Sequence, residues 1–263
     1  MHNHAILIHV LTSVRKKRIL DNLRETGAVV AKDLSEELGV SEDTIRRDLR
    51  ELASEGLLQR VHGGALPASP AVGNFAARLN LATDEKKMIG RAAAAMIRPG
   101  QVIILDGGTT ALQIARHLSA QLAVTVVTHS PTIAVELVDH PSVEVILIGG
   151  RLFKHSVVAV GAPAIENIAR IRADTYFMGV TGIHAEAGLT TGDFEEAHVK
   201  RALSASAAAT IVLASSEKLN AVSPYVITPI SSITGMIVAS TVNRKTLAPF
   251  SRLNITITKA STH

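Results

Sequence analysis

The chain contains no cysteine. That excludes structural disulfides and any zinc or iron-sulfur centre held by thiolates, and it fits a reducing compartment. A long hydrophobic run is missing as well. The apolar stretch within MHNHAILIHVLTSVRKKR is far too short to span a bilayer, and its basic residues follow the apolar ones, the reverse of a secretory signal. The expected location is the cytoplasm, with no membrane partner. His2, His4 and His9 come nearest to a metal-binding tract, but a frayed polar terminus accounts for them, so neither a metal nor another cofactor is expected.

Charge of one sign is scarce where it would be most informative. The whole chain carries a formal +4, yet residues 15–68 hold ten Lys or Arg against ten Asp or Glu. If that stretch meets a polyanion, it does so through the placement of its charges and not their sum. What is present describes a globular protein: 263 residues, 47% hydrophobic and 19% charged, enough for a small module joined to a larger one.

The small module reads as helical. Ile19, Leu20 and Leu23 recur at helical spacing behind Arg15-Lys16-Lys17-Arg18, and Gly27 stands where a C-cap belongs. Residues 29–38 predict a second helix, and Gly39-Val40 a turn. Ser41 supplies an N-cap for a third helix, whose first turn holds Glu42 and Asp43 at the positive end of the helix dipole. On that helix Ile45, Leu49 and Leu52 share one side, while Asp43, Arg46, Arg47 and Arg50 share the other, with Asp48 and Glu51 on the flanks. Gly56 closes it, and residues 57–61 followed by His62-Gly63-Gly64 read as a strand and a tight turn. Three helices and a small wing predict a winged helix-turn-helix. In such a module arginines read base edges in the major groove while the wing holds phosphates. The candidate DNA-binding residues are Ser41, Thr44, Arg46, Arg47, Arg50, Arg60 and His62. A protein-interaction module with a solvated charged face is the competing reading of the spacing alone.

LPASPAVGN, residues 66–74, is rich in proline, glycine and small residues and has no periodicity. The expected organisation is an N-terminal extension at 1–14, the winged helix-turn-helix at 15–66, a linker at 67–82 and a larger domain at 83–263. From Asp84 onward, helices alternate with apolar strands at 102–105, 124–127, 143–148, 175–178 and 210–213, which predicts a mostly parallel α/β sheet. Ligands of such sheets sit beyond the C-terminal strand ends. There Asp106-Gly107-Gly108-Thr109-Thr110 offers close backbone approach, helix N-terminal N–H groups and two hydroxyls to an anion, while a ligand-free turn is an equal reading. It is neither a Walker A loop nor a dinucleotide G-x-G-x-x-G. Lys218 follows the apolar run ATIVLA and is placed to reach an anion over the sheet edge. Lys200 is a further candidate, although a solvated helix face also accounts for it.

Residues 40–49, VSEDTIRRDL, and 55–65, EGLLQRVHGGA, resemble the N-terminal pattern of DeoR-family bacterial transcription regulators. LDGGTT, VVTHS, IGGRL, MGVTGI, EEAHVKRA and LASSEKL resemble that family's C-terminal effector domain. The resemblance implies a fold shared with ribose-5-phosphate isomerase, a homo-oligomer on a double-stranded DNA operator, and a phosphorylated sugar as effector. It carries Asp106, Gly107, Gly108, Thr109, Thr110, Ser130, Lys200 and Lys218 into the effector site. His129 stands where the family usually has asparagine, and Ser215 where it has aspartate.

The function expected is repression of a carbohydrate-metabolism operon, modulated by that effector. The alternative is a sugar-phosphate isomerase with an appended DNA-binding module, using Asp106 as base and Lys218 as the cation beside an enediolate. No convincing second acid pair, nucleophile turn or metal motif supports it, so no catalytic residue is expected.

Overall fold

The computed structural model describes residues 2–261, with side chains from residue 11 onward. The side chains of His2, His4 and His9 lie outside the described residues. The chain forms two compact units, Met1–Ser69 with Asn220–Val222, and Pro70–Leu219 with Ser223–His263.

In the first unit, α1 (His2–Thr26) ends at Gly27, whose φ of 78° and N–H bond to the Leu23 carbonyl make the expected left-handed cap. Then come β1 (Val29–Val30), α2 (Ala31–Leu38), α3 (Glu42–Ser54), β2 (Leu58–Val61) and β3 (Gly64–Pro67). The helix expected from residue 29 starts at Ala31, because Val29 and Val30 pair with Ala65 and Gly64 and add a third strand to the wing. Two residues are too few to show a strand period. Ile19, Leu23, Leu34, Ile45, Leu49, Leu52 and Leu58 fill the core as the helical spacing required.

One charge also lies in that core. Asp48 is 1% exposed and accepts hydrogen bonds from both Nε and Nη2 of Arg15. It was expected on a flank of α3, but Arg15 from α1 covers it and closes it off from water. Neighbouring Glu51 keeps the flank position and pairs with Lys16 at 2.9 Å.

The second unit begins inside the stretch expected to be linker. Residues Pro70–Val72 form a 3-10 turn, and α4 (Phe75–Leu79) is capped by Asn74, which accepts from the Ala77 N–H. Phe75 packs against the unit's core. A five-residue helix among small residues leaves no periodicity to read. Next are α5 (Thr83–Ala94), β4 (Val102–Leu105), α6 (Thr109–Arg116), β5 (Val124–Thr128), α7 (Pro131–Glu136) and β6 (Val143–Leu147). The hairpin β7 (Arg151–Phe153) and β8 (Val158–Val160) precedes α8 (Ala162–Ile168) and β9 (Ala173–Gly179). A small antiparallel sheet contains β10 (Gly182–His184), β11 (Gly188–Thr191) and, after α9 (Phe194–Ala205) and β12 (Ala207–Ala214), β13 (Tyr225–Thr228). The chain closes with β14 (Gly235–Ala239), α10 (Arg244–Leu247) and β15 (Thr256–Ala260).

Seven strands form one sheet in the order β15-β14-β12-β9-β4-β5-β6, and every neighbouring pair is parallel. This is the expected α/β fold. Its central strands are apolar on both faces, as a sheet covered on both sides requires; Ile103, Ile104, Leu105, Val212, Leu213, Ile237 and Val238 are all fully buried. From β4 the chain winds outward through β5 and β6, whereas β9, β12, β14 and β15 extend the opposite way. The C-terminal ends of β4 and β9 therefore flank a topological switch point, where the connections part and leave a crevice.

Replacing Arg15 by methionine strands the Asp48 carboxylate in the core, and should destabilise the first unit by about 3–5 kcal/mol. Chemical denaturation of Arg15→Met and of the double variant Arg15→Met/Asp48→Leu checks this: the double variant should regain most of the loss.

Candidate ligand pocket and nucleic-acid interface

Asp106 leaves β4 at the switch point and is completely buried. Its Oδ1 accepts from Gly107 N at 2.8 Å and His129 Nε2 at 2.9 Å; its Oδ2 accepts from Gly179 N at 2.7 Å and Lys200 Nζ at 2.5 Å. Burial alone would raise this carboxyl's pKa, but Lys200 and His129 outweigh it and hold the group well below the usual carboxylate range. His129 also places Nδ1 2.9 Å from the Ala159 carbonyl, which can only accept. Both ring nitrogens of His129 are thus engaged, one with the Asp106 carboxylate and the other with a backbone carbonyl. Burial pulls Lys200 down, yet Asp106 and Glu196 raise it above the ordinary lysine value. Lys200 is 3% exposed, so the solvated-face account of this residue is overturned: α9 turns it inward, where it also meets Glu196 at 3.2 Å. Burial together with the Asp106 charge pushes the pKa of the buried Tyr176 hydroxyl well up.

Above this network lies a pocket lined by Gly107, Gly108, Thr109, Thr110, Ser156, Glu196, Lys200 and Lys218. Gly107 is required because a Cβ there would sit 2.1 Å from Val158 Cγ1, and Gly108 because its φ is 101° as it leads into α6. The start of α6 thus turns its unpaired N–H groups toward the pocket with two threonine hydroxyls beside them. Lys218, from the 3-10 turn after β12, is buried, with Thr110 Oγ1 at 3.3 Å and the Leu213 carbonyl at 3.4 Å as its hydrogen-bond partners. Burial lowers it to about 8; Glu217 opposes this, while Lys86, Arg78 and Lys200 add to it.

Of the eight residues expected here, Gly107, Gly108, Thr109, Thr110, Lys200 and Lys218 come together around the pocket. Asp106 lies behind the lining as its support. Ser130 is buried and donates to the Val157 carbonyl at 3.2 Å, and it does not line the pocket. Two cations were missed, Arg78 and Lys86. Both line the pocket, and burial lowers both. Lys86 belongs to the helical pattern beginning at Asp84, where it reads as one of two adjacent exposed lysines. Arg78 falls in the stretch read as linker. Neither had a local signal to set it apart. Among the described residues no group of His, Asp or Glu is arranged to hold a metal.

In the first unit, α3 presents Arg46, Arg47 and Arg50 to solvent while Ile45, Leu49 and Leu52 face inward. Arg46 is tethered to Glu42 at 2.7 Å, an exposed pair worth about 0.3–0.5 kcal/mol that a phosphate or base edge can displace. Ser41 caps the helix, accepting from Thr44 N at 3.3 Å, and its hydroxyl lies 2.9 Å from that of Thr44. Arg60 and His62 are exposed on the wing, and with Arg46 they border a cleft between the wing and α3. No helix among the described residues is long and apolar enough to cross a membrane.

Residues 15–70 match the DeoR-like helix-turn-helix domain, and residues 81–240 match the DeoR C terminal sensor domain. The HTH-type transcriptional regulator GlpR of Haloferax volcanii is 35% identical over 80% of this chain and 83% of its own. The HTH-type transcriptional repressor GlcR of Bacillus subtilis is 35% identical over 79% and 80% respectively. For the glycerol-3-phosphate regulon repressor of Escherichia coli the figures are 33% over 72% and 75%. Among solved structures, a ribose 5-phosphate isomerase A from Methanocaldococcus jannaschii aligns with 52% of this chain and 54% of its own at 17% identity and a TM-score of 0.39, a likeness too slight to bear on function. With a winged α3 bearing arginines in one unit and a cation-lined pocket at the switch point of the other, and with both family matches lying on those units, the chain belongs to the DeoR family of helix-turn-helix transcriptional regulators.

Proposed function

We propose that this regulator is a cytoplasmic repressor of a carbohydrate-metabolism operon whose hold on its operator weakens when a phosphorylated sugar occupies the pocket. One observation carries the reading: Lys218 is a buried ammonium that burial destabilises, standing beside the α6 N-terminus and the Thr109 and Thr110 hydroxyls. A dianionic phosphate supplies what those groups lack. The carboxylate of Glu196 and the hydroxyl of Ser156, which donates to it at 3.1 Å, provide acceptors and donors for a hydroxylated body attached to that phosphate. The names of relatives as repressors, one of them of a glycerol-3-phosphate regulon, favour repression and a phosphorylated ligand. Asp106 is unsuited to proton abstraction, since four donors occupy its carboxylate and the pocket does not reach it. The isomerase reading loses its base.

On DNA, Arg47 and Arg50 are assigned to the major groove, with Arg46 released from Glu42, and Arg60 and His62 to phosphates beside the wing. Two copies would set two α3 helices on half-sites about 34–36 Å apart, one turn of the double helix.

Arg47→Ala should cost about 1–3 kcal/mol on a selected operator and much less on random DNA. Fluorescence anisotropy on both duplexes decides it: equal losses make Arg47 a phosphate contact. In the pocket, Lys218 is charged below about 8 and loses its proton above, so phosphate-ligand affinity should fall as pH rises through 8. Lys218→Arg keeps its charge throughout, and its titration profile should stay level across that range. Calorimetry with a panel of sugar phosphates at pH 7 to 9 would show this. A fall of the same size in the arginine variant removes Lys218 from the site.

A further inference from the structure

We propose that Glu217 is a specificity-determining residue of the pocket: it accepts a hydrogen bond from a hydroxyl on the ligand's body, and so favours a hydroxylated phosphate ester over phosphate alone. The proposal rests on the phosphate reading of the pocket and adds which part of the ligand is read beside the phosphate.

Glu217 lines the pocket with half of its carboxylate unused. Its Oε1 accepts from the Ser215 hydroxyl at 2.7 Å, while its Oε2 is buried without a hydrogen-bond partner among the described residues. The other carboxylate of the lining, Glu196, is already bonded to Lys200 and Ser156. An acceptor stripped of water with no donor in its place costs the folded chain, and a ligand hydroxyl relieves that cost.

The oxygen is also held in place before any ligand arrives. The Ser216 N–H donates to Glu85 Oε2 at 2.7 Å, and Glu85 in turn accepts from Thr241 Oγ1 at 3.1 Å. On the other side Lys218 is tied to Thr110 Oγ1 and the Leu213 carbonyl. Glu217 stands between these anchors, so the ordering of its backbone is not charged to binding. Its presence goes with a departure already noted, serine at position 215 in place of the family's usual aspartate. The Ser215 hydroxyl serves Glu217, and the turn carries its carboxylate two residues later, next to Lys218.

Charge selects the donor. Lys86 and Lys218 both feel the Glu217 carboxylate, and Arg78 and Lys200 line the same pocket, so a ligand ammonium at this point would meet a ring of cations. A phosphate oxygen is repelled by the carboxylate itself. A neutral hydroxyl satisfies Oε2 with neither penalty.

Calorimetry on the full-length protein at pH 7, with inorganic phosphate and with a panel of hexose, pentose and glycerol phosphates, tests this. Wild type should bind the best panel member more tightly than phosphate. Glu217→Ala should weaken that member about tenfold or more, yet bind inorganic phosphate as well as wild type or better, since the repelling charge is gone. A wild type that binds neither phosphate nor any panel member overturns the phosphate reading of the pocket, and this inference with it. Binding of phosphate with no preference for any panel member overturns the hydroxyl contact alone. So does an unchanged affinity of Glu217→Ala for the best member. Equal weakening of both ligands makes Glu217 a support of its turn, and equal strengthening makes it a bare charge; either refutes the proposal. Should Glu217→Ala fail to fold, Glu217→Gln decides by the same comparison, with a smaller loss on the panel member because its amide oxygen still accepts.

Discussion

The carboxylate of Asp106 is the fixed point of the sensor unit. Four donors converge on it from four places: the loop after β4, the end of β5, the end of β9 and the inward face of α9. A buried ion cluster of this kind is not a cheap source of stability, since desolvation consumes much of the Coulomb attraction. What it does is fix geometry. The Gly107 N–H beyond β4 and the Gly179 N–H at the end of β9 are both bonded to the Asp106 carboxylate. Bonded to one carboxylate, they hold Gly107 and Gly108 in the position from which α6 begins, and the pocket inherits its shape from that constraint.

Charges in this protein fall into two kinds, and both units show the division. Some are closed on each other inside: Asp106 with Lys200 in one unit, Asp48 with Arg15 in the other. Others are turned outward or into a pocket without an adequate partner: Arg47 and Arg50 on α3, and Arg78, Lys86 and Lys218 around the cavity. The first kind positions the second. Arg15 orients the helix that carries Arg47, as Asp106 orients the loop that faces Lys218. Recognition of an anion follows from this asymmetry in a segment whose formal charges cancel.

Much of this was legible in the sequence, for identifiable reasons. Helical spacing placed Ile45, Leu49 and Leu52 inside α3, and Ser41 marked its start, because a cap and a 3.6-residue period are local properties. The strand-to-helix turn at Gly107 and Gly108 was visible because apolar run, glycines and helix stand next to one another. Asp48 was misplaced because its partner is thirty-three residues away, and no local pattern records a long-range ion pair. Lys200 looked like a solvated lysine for the same reason, with Asp106 ninety-four residues distant. β14 and β15 were missed in a stretch where the motifs stop, although their parallel partners lie no farther along the chain than those of β4 and β5. Arg78 was hidden by composition, since proline, glycine and alanine around it gave no hint of order.

A lysine that titrates near 8 is also a chemical reagent. Burial shifts Lys218 toward the free amine relative to a lysine in water. Among its neighbours it is therefore the amine best suited to attack an acylating agent or an open-chain aldehyde. A ligand whose phosphate holds the proton on Lys218 would silence that nucleophile, so the pocket carries its own covalent reporter of whether it is full.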